Sequence, residues 1–179
     1  MRKSLEDTWQ YLATEGEETP RRPDGRPFIH DRMPSHDDEE LGFCYFRYRL
    51  EDADNSNLTL PRTFFCRSWF ARVSFANTDL SESRMCWNEF EACDFSGADL
   101  SGCDMRASNF IGCKFVGAVL READLRRSSF ESCDFTGAEL AGAVAEDEDF
   151  DGCVHDFLSA EQQAVMALSA DEGPVPPGG

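Results

Sequence analysis

Large apolar side chains recur at every fifth position between Phe65 and Leu140. The residue two places before each is small: Thr63, Ser68, Val73 and Thr78 open that second series, and Cys133 and Ala138 close it. An α-helix repeats at about 3.6 residues and a strand at two, so neither produces a beat of five. A fixed period held over such a length predicts stacked structural units.

A longer beat of 20 lies inside the shorter one. Phe70, Phe90, Phe110 and Phe130 share one series; Phe75, Phe95, Phe115 and Phe135 share the next. Leu80, Leu100, Leu120 and Leu140 form a third, and Met85, Met105 and Leu125 a fourth. Four short units per long one predict a four-sided coil whose like side chains stack in columns, and these residues are its expected core.

Segments such as Ala98-Asp99-Leu100-Ser101-Gly102 and Cys133-Asp134-Phe135-Thr136-Gly137 resemble the pentapeptide-repeat family. The family pattern is a small residue, Asp or Asn, Leu or Phe, a small polar residue, then Gly. The resemblance implies an all-β solenoid, a right-handed quadrilateral β-helix. At 20 residues per coil, residues 63–157 hold about five coils.

The flanks divide the chain into three parts. Residues 1–62 read as an irregular N-terminal helix, loop and capping strand region, 63–157 as the β-helix, and 158–179 as a C-terminal capping helix with a Pro/Gly tail. Leu5, Trp9 and Leu12 fall on one helical face, and Ser4 with Asp7 makes a capping pattern. Pro20, Pro23, Pro27 and Pro34 break residues 15–41, where His30, His36, Asp37 and Asp38 show no metal-ligand spacing. Leu50 and Leu60 hold the five-residue register but Asn55 does not, so 42–62 read as an irregular first coil. Ser159 and Gln162 open the terminal helix over 158–169. Both ends need covers, because a bare coil presents an unpaired strand edge. Ala145 is small for its central position, and His155 breaks the Phe75 column.

Charge narrows the partners. The chain carries 35 acidic and 17 basic residues, a net charge of -18. That balance argues against direct nucleic-acid binding, which needs a basic footprint, and against docking on an anionic membrane. It permits a basic protein partner. No apolar run approaches the ~20 residues of a spanning helix and no signal-peptide core opens the chain, so a cytoplasmic location is expected. Of the eight cysteines, Cys93, Cys113, Cys133 and Cys153 share one column. Stacked strands lie about 4.8 Å apart. A disulfide prefers Cβ atoms at ~3.5–4.5 Å. No Cys-x-x-Cys spacing suggests zinc. These cysteines are expected to be small buried hydrophobes with free thiols, holding no metal.

The register also sorts the outward side chains. Glu89, Glu91, Glu131, Asp149 and Asp151 flank the Phe90 column, and Asp79, Asp99 and Glu139 flank the Leu80 column. These eight are the candidate partner-binding residues. Arg84, Arg106 and Arg126, with Arg67 and Arg127 at the turns, mark the Met85 face as different. Trp69, Trp87 and Phe64 point outward, and residues 1–62 are their expected cover; a partner or a homodimer interface is the alternative.

No phosphate-binding loop, nucleophile elbow or zinc motif occurs, and the three histidines lie in irregular segments. The expectation is a protein that is not an enzyme, with no catalytic residues, cofactor or metal. It would serve as a rigid protein-interaction module or adaptor. The family resemblance implies an alternative, an acidic DNA mimic that binds a type II topoisomerase. DNA gyrase or topoisomerase IV would be the partner, and protection from quinolones or toxins the outcome.

Overall fold

The computed structural model describes residues 1–14, 44–145 and 153, a parallel β-solenoid with one short helix. The helix α1 spans Leu5–Thr14. Eight strands of three residues follow: β1 Cys44–Phe46, β2 Arg49–Glu51, β3 Phe64–Cys66, β4 Trp69–Ala71, β5 Arg84–Cys86, β6 Glu89–Glu91, β7 Asn109–Ile111 and β8 Ser129–Glu131. The first face stacks β1-β3-β5, and the second stacks β2-β4-β6-β7-β8. Every partner lies 20 residues away, as in Phe70↔Phe90 and Phe90↔Phe110. The third and fourth faces are single-residue bridges, such as Ser74↔Asp94 and Asp79↔Asp99. Bridges through Asp104, Asp124 and Val144 carry the first face onward.

The corners explain the beat of five. Two residues after each central one, the backbone turns through the left-handed region, where glycine sits most easily. Gly97 (φ +64°) and Gly137 (φ +68°) occupy it, but so do Arg67 (φ 52°), Trp87 (φ 61°) and Arg127 (φ 61°). Parallel neighbours then share the turn coil after coil.

The central columns fill the interior. Phe70, Phe75, Phe90, Phe95, Phe110, Phe115, Leu100 and Leu120 are fully buried, and Phe130 and Phe135 nearly so. Rings one coil apart lie parallel, as Phe90 on Phe110 at 4.9 Å, and rings on adjacent faces meet edge-on, as Phe90 on Phe95 at 5.5 Å. Both are favoured aromatic geometries.

The small column has a polar task. On the second face each small side chain accepts the amide N–H one coil back: Ser68 N–H to Asn88 Oδ1 at 3.0 Å, Asn88 N–H to Ser108 Oγ at 3.0 Å. Each also donates to a carbonyl of the preceding coil: Asn88 Nδ2 to Phe65 O at 3.0 Å, Ser128 Oγ to Met105 O at 2.6 Å. Cysteines take the same place on the third face, where the Sγ of Cys93, Cys113, Cys133 and Cys153 meets the carbonyls of Phe70, Phe90, Phe110 and Phe130 at 3.0–3.5 Å. They act as weak donors as well as small hydrophobes. The seven described cysteines are free thiols.

The first coil differs from the sequence reading. Residues 44–62 are a regular coil in register with the rest: β1 and β2 pair with β3 and β4, and Tyr45, Leu50, Asn55 and Leu60 fill the central columns. The polar side chain of Asn55 hides that register, yet it stands 5% exposed beneath Phe75 with no hydrogen-bond partner for Nδ2. Asn55→Leu should therefore stabilise the protein by about 1–2 kcal/mol, by removing an unsatisfied donor and adding apolar burial. Thermal denaturation measures this; a lowered midpoint would show that Asn55 makes a bond in solution. At the other end, Ala145 keeps its central place, 2% exposed.

Helix α1 caps the first coil. Ser4 Oγ accepts the Asp7 N–H at 3.1 Å and donates to its carboxylate at 2.6 Å, closing the helix start. Thr8 Oγ1 accepts the Thr59 N–H at 2.9 Å, and Thr59 Oγ1 donates to Lys3 O at 2.7 Å. Tyr11 donates to Asp54 O at 2.7 Å, and Leu12 is buried in the core. The proposed loop over 15–41 and the terminal helix lie outside the described residues.

Candidate interaction surfaces

The filled interior leaves chemistry to the outside. The six acidic candidates among the described residues lie on two faces. On the second face Glu89 lies between Trp69 and Asn109, and Glu91 and Glu131 are separated by Ile111. Glu91 also accepts the Trp69 indole N–H at 3.3 Å. Burial and the neighbouring Glu91 carboxylate push Glu89 above the usual carboxylate range. On the fourth face Asp79 and Asp99 turn inward on the backbone: their Oδ1 atoms accept the Ser81 and Ser101 N–H groups, both at 3.1 Å. Glu139 pairs with Arg121 at 2.5 Å. Asp149 and Asp151 lie outside the described residues.

Asp94 and Asp134 make the same turn bond, to the Ser96 and Thr136 N–H groups, both at 2.9 Å. The carboxylate before each of these central residues is thus partly a structural cap, the local Asx bonding that short acidic side chains favour. Its negative charge remains, but its orientation is set by the turn.

The first face is not simply basic. Arg106 clamps Asp104 through Nε and Nη2 at 2.8 and 2.7 Å, and Arg126 clamps Asp124 at 2.9 and 2.6 Å. The Arg126 guanidinium holds the Asp124 carboxyl below its ordinary value. The signal for this was present as Asp-x-Arg twice, 20 residues apart: the first and third residues straddle one inward side chain and share a face. Among the described residues Arg67, Arg84 and Arg127 have no carboxylate partner.

The aromatics separate too. Trp69 is half-buried, with the Arg49 guanidinium stacked 4.0 Å from its ring centre. Trp87 is 67% exposed. Helix α1 bonds Asp54 and Thr59, on the third and fourth faces, and Lys3 just before it donates to Asn57 O, so the described part of residues 1–62 covers Trp69 through Arg49 and leaves Trp87 bare.

Residues 84–156 match the family model described as a pentapeptide repeat region. This stretch belongs to the pentapeptide-repeat family. The chain is similar, among solved structures, to a pentapeptide repeat protein from the cyanobacterium Cyanothece 51142, with 16% identity over 65% of this chain and 90% of that one, at a TM-score of 0.40. It is similar to one from the Arabidopsis thaliana thylakoid lumen, with 26% identity over 69% and 77% of the two chains, at a TM-score of 0.33. It is also similar to QnrB1, a plasmid-mediated fluoroquinolone resistance protein, with 17% identity over 63% and 67%, at a TM-score of 0.34. No curated protein matches the sequence.

Two further observations bear on the chemistry of the pentapeptide-repeat coils. Among the described residues no group of three or more His, Cys, Asp or Glu could hold a metal, and no helix is long and apolar enough to cross a membrane. The outward thiols of Cys66 and Cys86 are held protonated: burial raises both, and with the neighbouring Asp104 pushes Cys86 up to about 12.

Proposed function

We propose that this chain is a non-catalytic interaction module, a rigid solenoid whose outward columns meet another protein. The observation that carries the reading is the sorting of its surface. Turn-capping carboxylates mark the fourth face, Asp–Arg clamps and unpaired arginines share the first face and its corner, and the interior is closed by stacked rings. Rigid elements present such groups with little ordering cost on binding. The proposal places the module in the cytoplasm, where a column of buried thiols stays reduced.

The net charge of -18 supports the second reading, a DNA mimic that docks on DNA gyrase or topoisomerase IV. A duplex mimic needs carboxylates in unbroken rows, and Ile111 interrupts the Glu91–Glu131 row. The adaptor reading is therefore preferred.

A photo-crosslinking residue placed singly at Val144, Ser129, Val116 or Ala141 probes one face each, in cells of the native host. Crosslinks from one face to one protein are expected. Crosslinks from every face alike, or from none, would sink the module reading. Purified protein at micromolar concentration is expected to leave gyrase supercoiling unchanged. Inhibition that disappears on charge reversal at Glu89, Glu91 and Glu131 would install the DNA-mimic reading instead.

A further inference from the structure

The corner between the first and second faces runs Arg47, Arg67, Trp87, Ala107, Arg127, one residue per coil, all at positive φ. A tryptophan is poorly suited to that backbone, where bulky residues are uncommon. It gains little there from burial, since the residue is 67% exposed. Ala107 beyond it is small, so a gap opens above the ring. A groove of about 320 Å³ fills that gap, lined by Cys86, Trp87, Arg106, Ala107, Arg126 and Arg127. Below it, a second groove of about 450 Å³ includes Arg67, Trp69 and Trp87. Arg106 and Arg126 are occupied by their own aspartates, whereas Arg67 and Arg127 are exposed and have no carboxylate partner among the described residues.

We infer that this corner docks an extended acidic segment of a partner protein, with an apolar side chain on Trp87 and a carboxylate on each of Arg67 and Arg127. The inference rests on the interaction-module reading and names its surface. Arg67 and Arg127 are three coils apart, roughly 14 Å at strand spacing, and four residues of extended chain span about 13 Å. The matching segment is therefore acid-x-apolar-x-acid. Guanidinium groups pair carboxylates through two parallel hydrogen bonds, and an exposed Trp flanked by Arg is a composition found at the centre of interfaces. A uniform polyanion fits less well: Glu89, Asp104 and Asp124 border the corner, and the chain as a whole is strongly negative. A peptide whose charges sit only at its two ends avoids them.

The test is fluorescence anisotropy of the full chain with a labelled peptide containing Asp-Ser-Phe-Ser-Asp. A Lys-Ser-Phe-Ser-Lys peptide and a single-stranded oligonucleotide are run in parallel. Salt-sensitive binding of the acidic peptide alone is expected. Trp87→Gly should weaken it about ten-fold or more. That substitution should leave the thermal midpoint unchanged or raised, because glycine is the residue the corner favours. The pair Arg67→Glu with Arg127→Glu should abolish binding and supplies a second, surface-only variant. The proposal is overturned if the acidic peptide does not bind at millimolar concentration, if either variant binds as the parent does, or if the oligonucleotide binds more tightly. Peptide failure alongside face-specific crosslinks would discard this corner and keep the module. Failure of both would discard the module as well.

Discussion

Phe110→Ala is expected to lower the unfolding free energy by about 3–5 kcal/mol. Phe110 is fully buried in the middle of the second-face column. Its ring stacks between Phe90 at 4.9 Å and Phe130 at 4.8 Å, and meets Phe95 and Phe115 edge-on at 6.2 and 5.6 Å. Truncation removes apolar burial and four ring contacts, and it leaves a cavity the coil cannot collapse, because the strands on either side are fixed by their own pairing. Position matters as much as chemistry. In a solenoid each coil is stabilised only by its neighbours, so damage in a central coil weakens two interfaces at once. Urea denaturation followed by circular dichroism reads the loss. A cost under about 1 kcal/mol would mean that the ring is not packed between two coils.

Much of this fold was legible, because a close-packed interior imposes its period on the sequence. The five-residue beat gave the coil, and the 20-residue beat gave each side chain its column. What escaped the reading depends on side-chain conformation or on one atypical residue. Asn55 disguised a regular first coil, since a polar residue in a core column looks like a broken register. Asp79 and Asp99 read as surface charge, but their carboxylates curl onto the Ser81 and Ser101 amides, a choice of rotamer that residue type alone does not dictate. Glu91 and Glu131 share the column that the register assigns them, but Ile111 stands between them and interrupts the acidic row. The need for an N-terminal cap was evident from the unpaired edge; that α1 would seat through Thr8, Tyr11 and Leu12 on the third and fourth faces was not. The outward direction of Trp87 followed from the register; its exposure, where residues 1–62 were the expected cover, and the pairing that leaves Arg67 and Arg127 without a carboxylate did not.

Asn88→Ala should cost about 2–4 kcal/mol, although the change removes little apolar volume. Asn88 is 3% exposed and sits in the middle of the second-face ladder. Its Oδ1 accepts the Ser68 N–H at 3.0 Å and its Nδ2 donates to Phe65 O at 3.0 Å. Alanine leaves a buried amide without an acceptor and a buried carbonyl without that donor, and each such orphan carries a desolvation penalty of about 1–3 kcal/mol. Ser68, Ser108 and Ser128 show that a hydroxyl at this position can both accept an N–H from the preceding coil and donate to a carbonyl of that same coil. Asn88→Ser should accordingly restore most of the loss, to within about 1 kcal/mol of the parent. The comparison isolates hydrogen bonding from packing, because Ser and Ala are similar in size. Denaturant midpoints for the three proteins, read at constant m-value, decide the point. If Ser were as damaging as Ala, the column would be a spacing device and not a ladder; if Ala were neutral, the buried groups would have found other partners. A two- to four-fold larger penalty for Ala than for Ser is the expected result, and it would extend to the Cys113 column in weaker form, since a thiol donates less strongly than a hydroxyl.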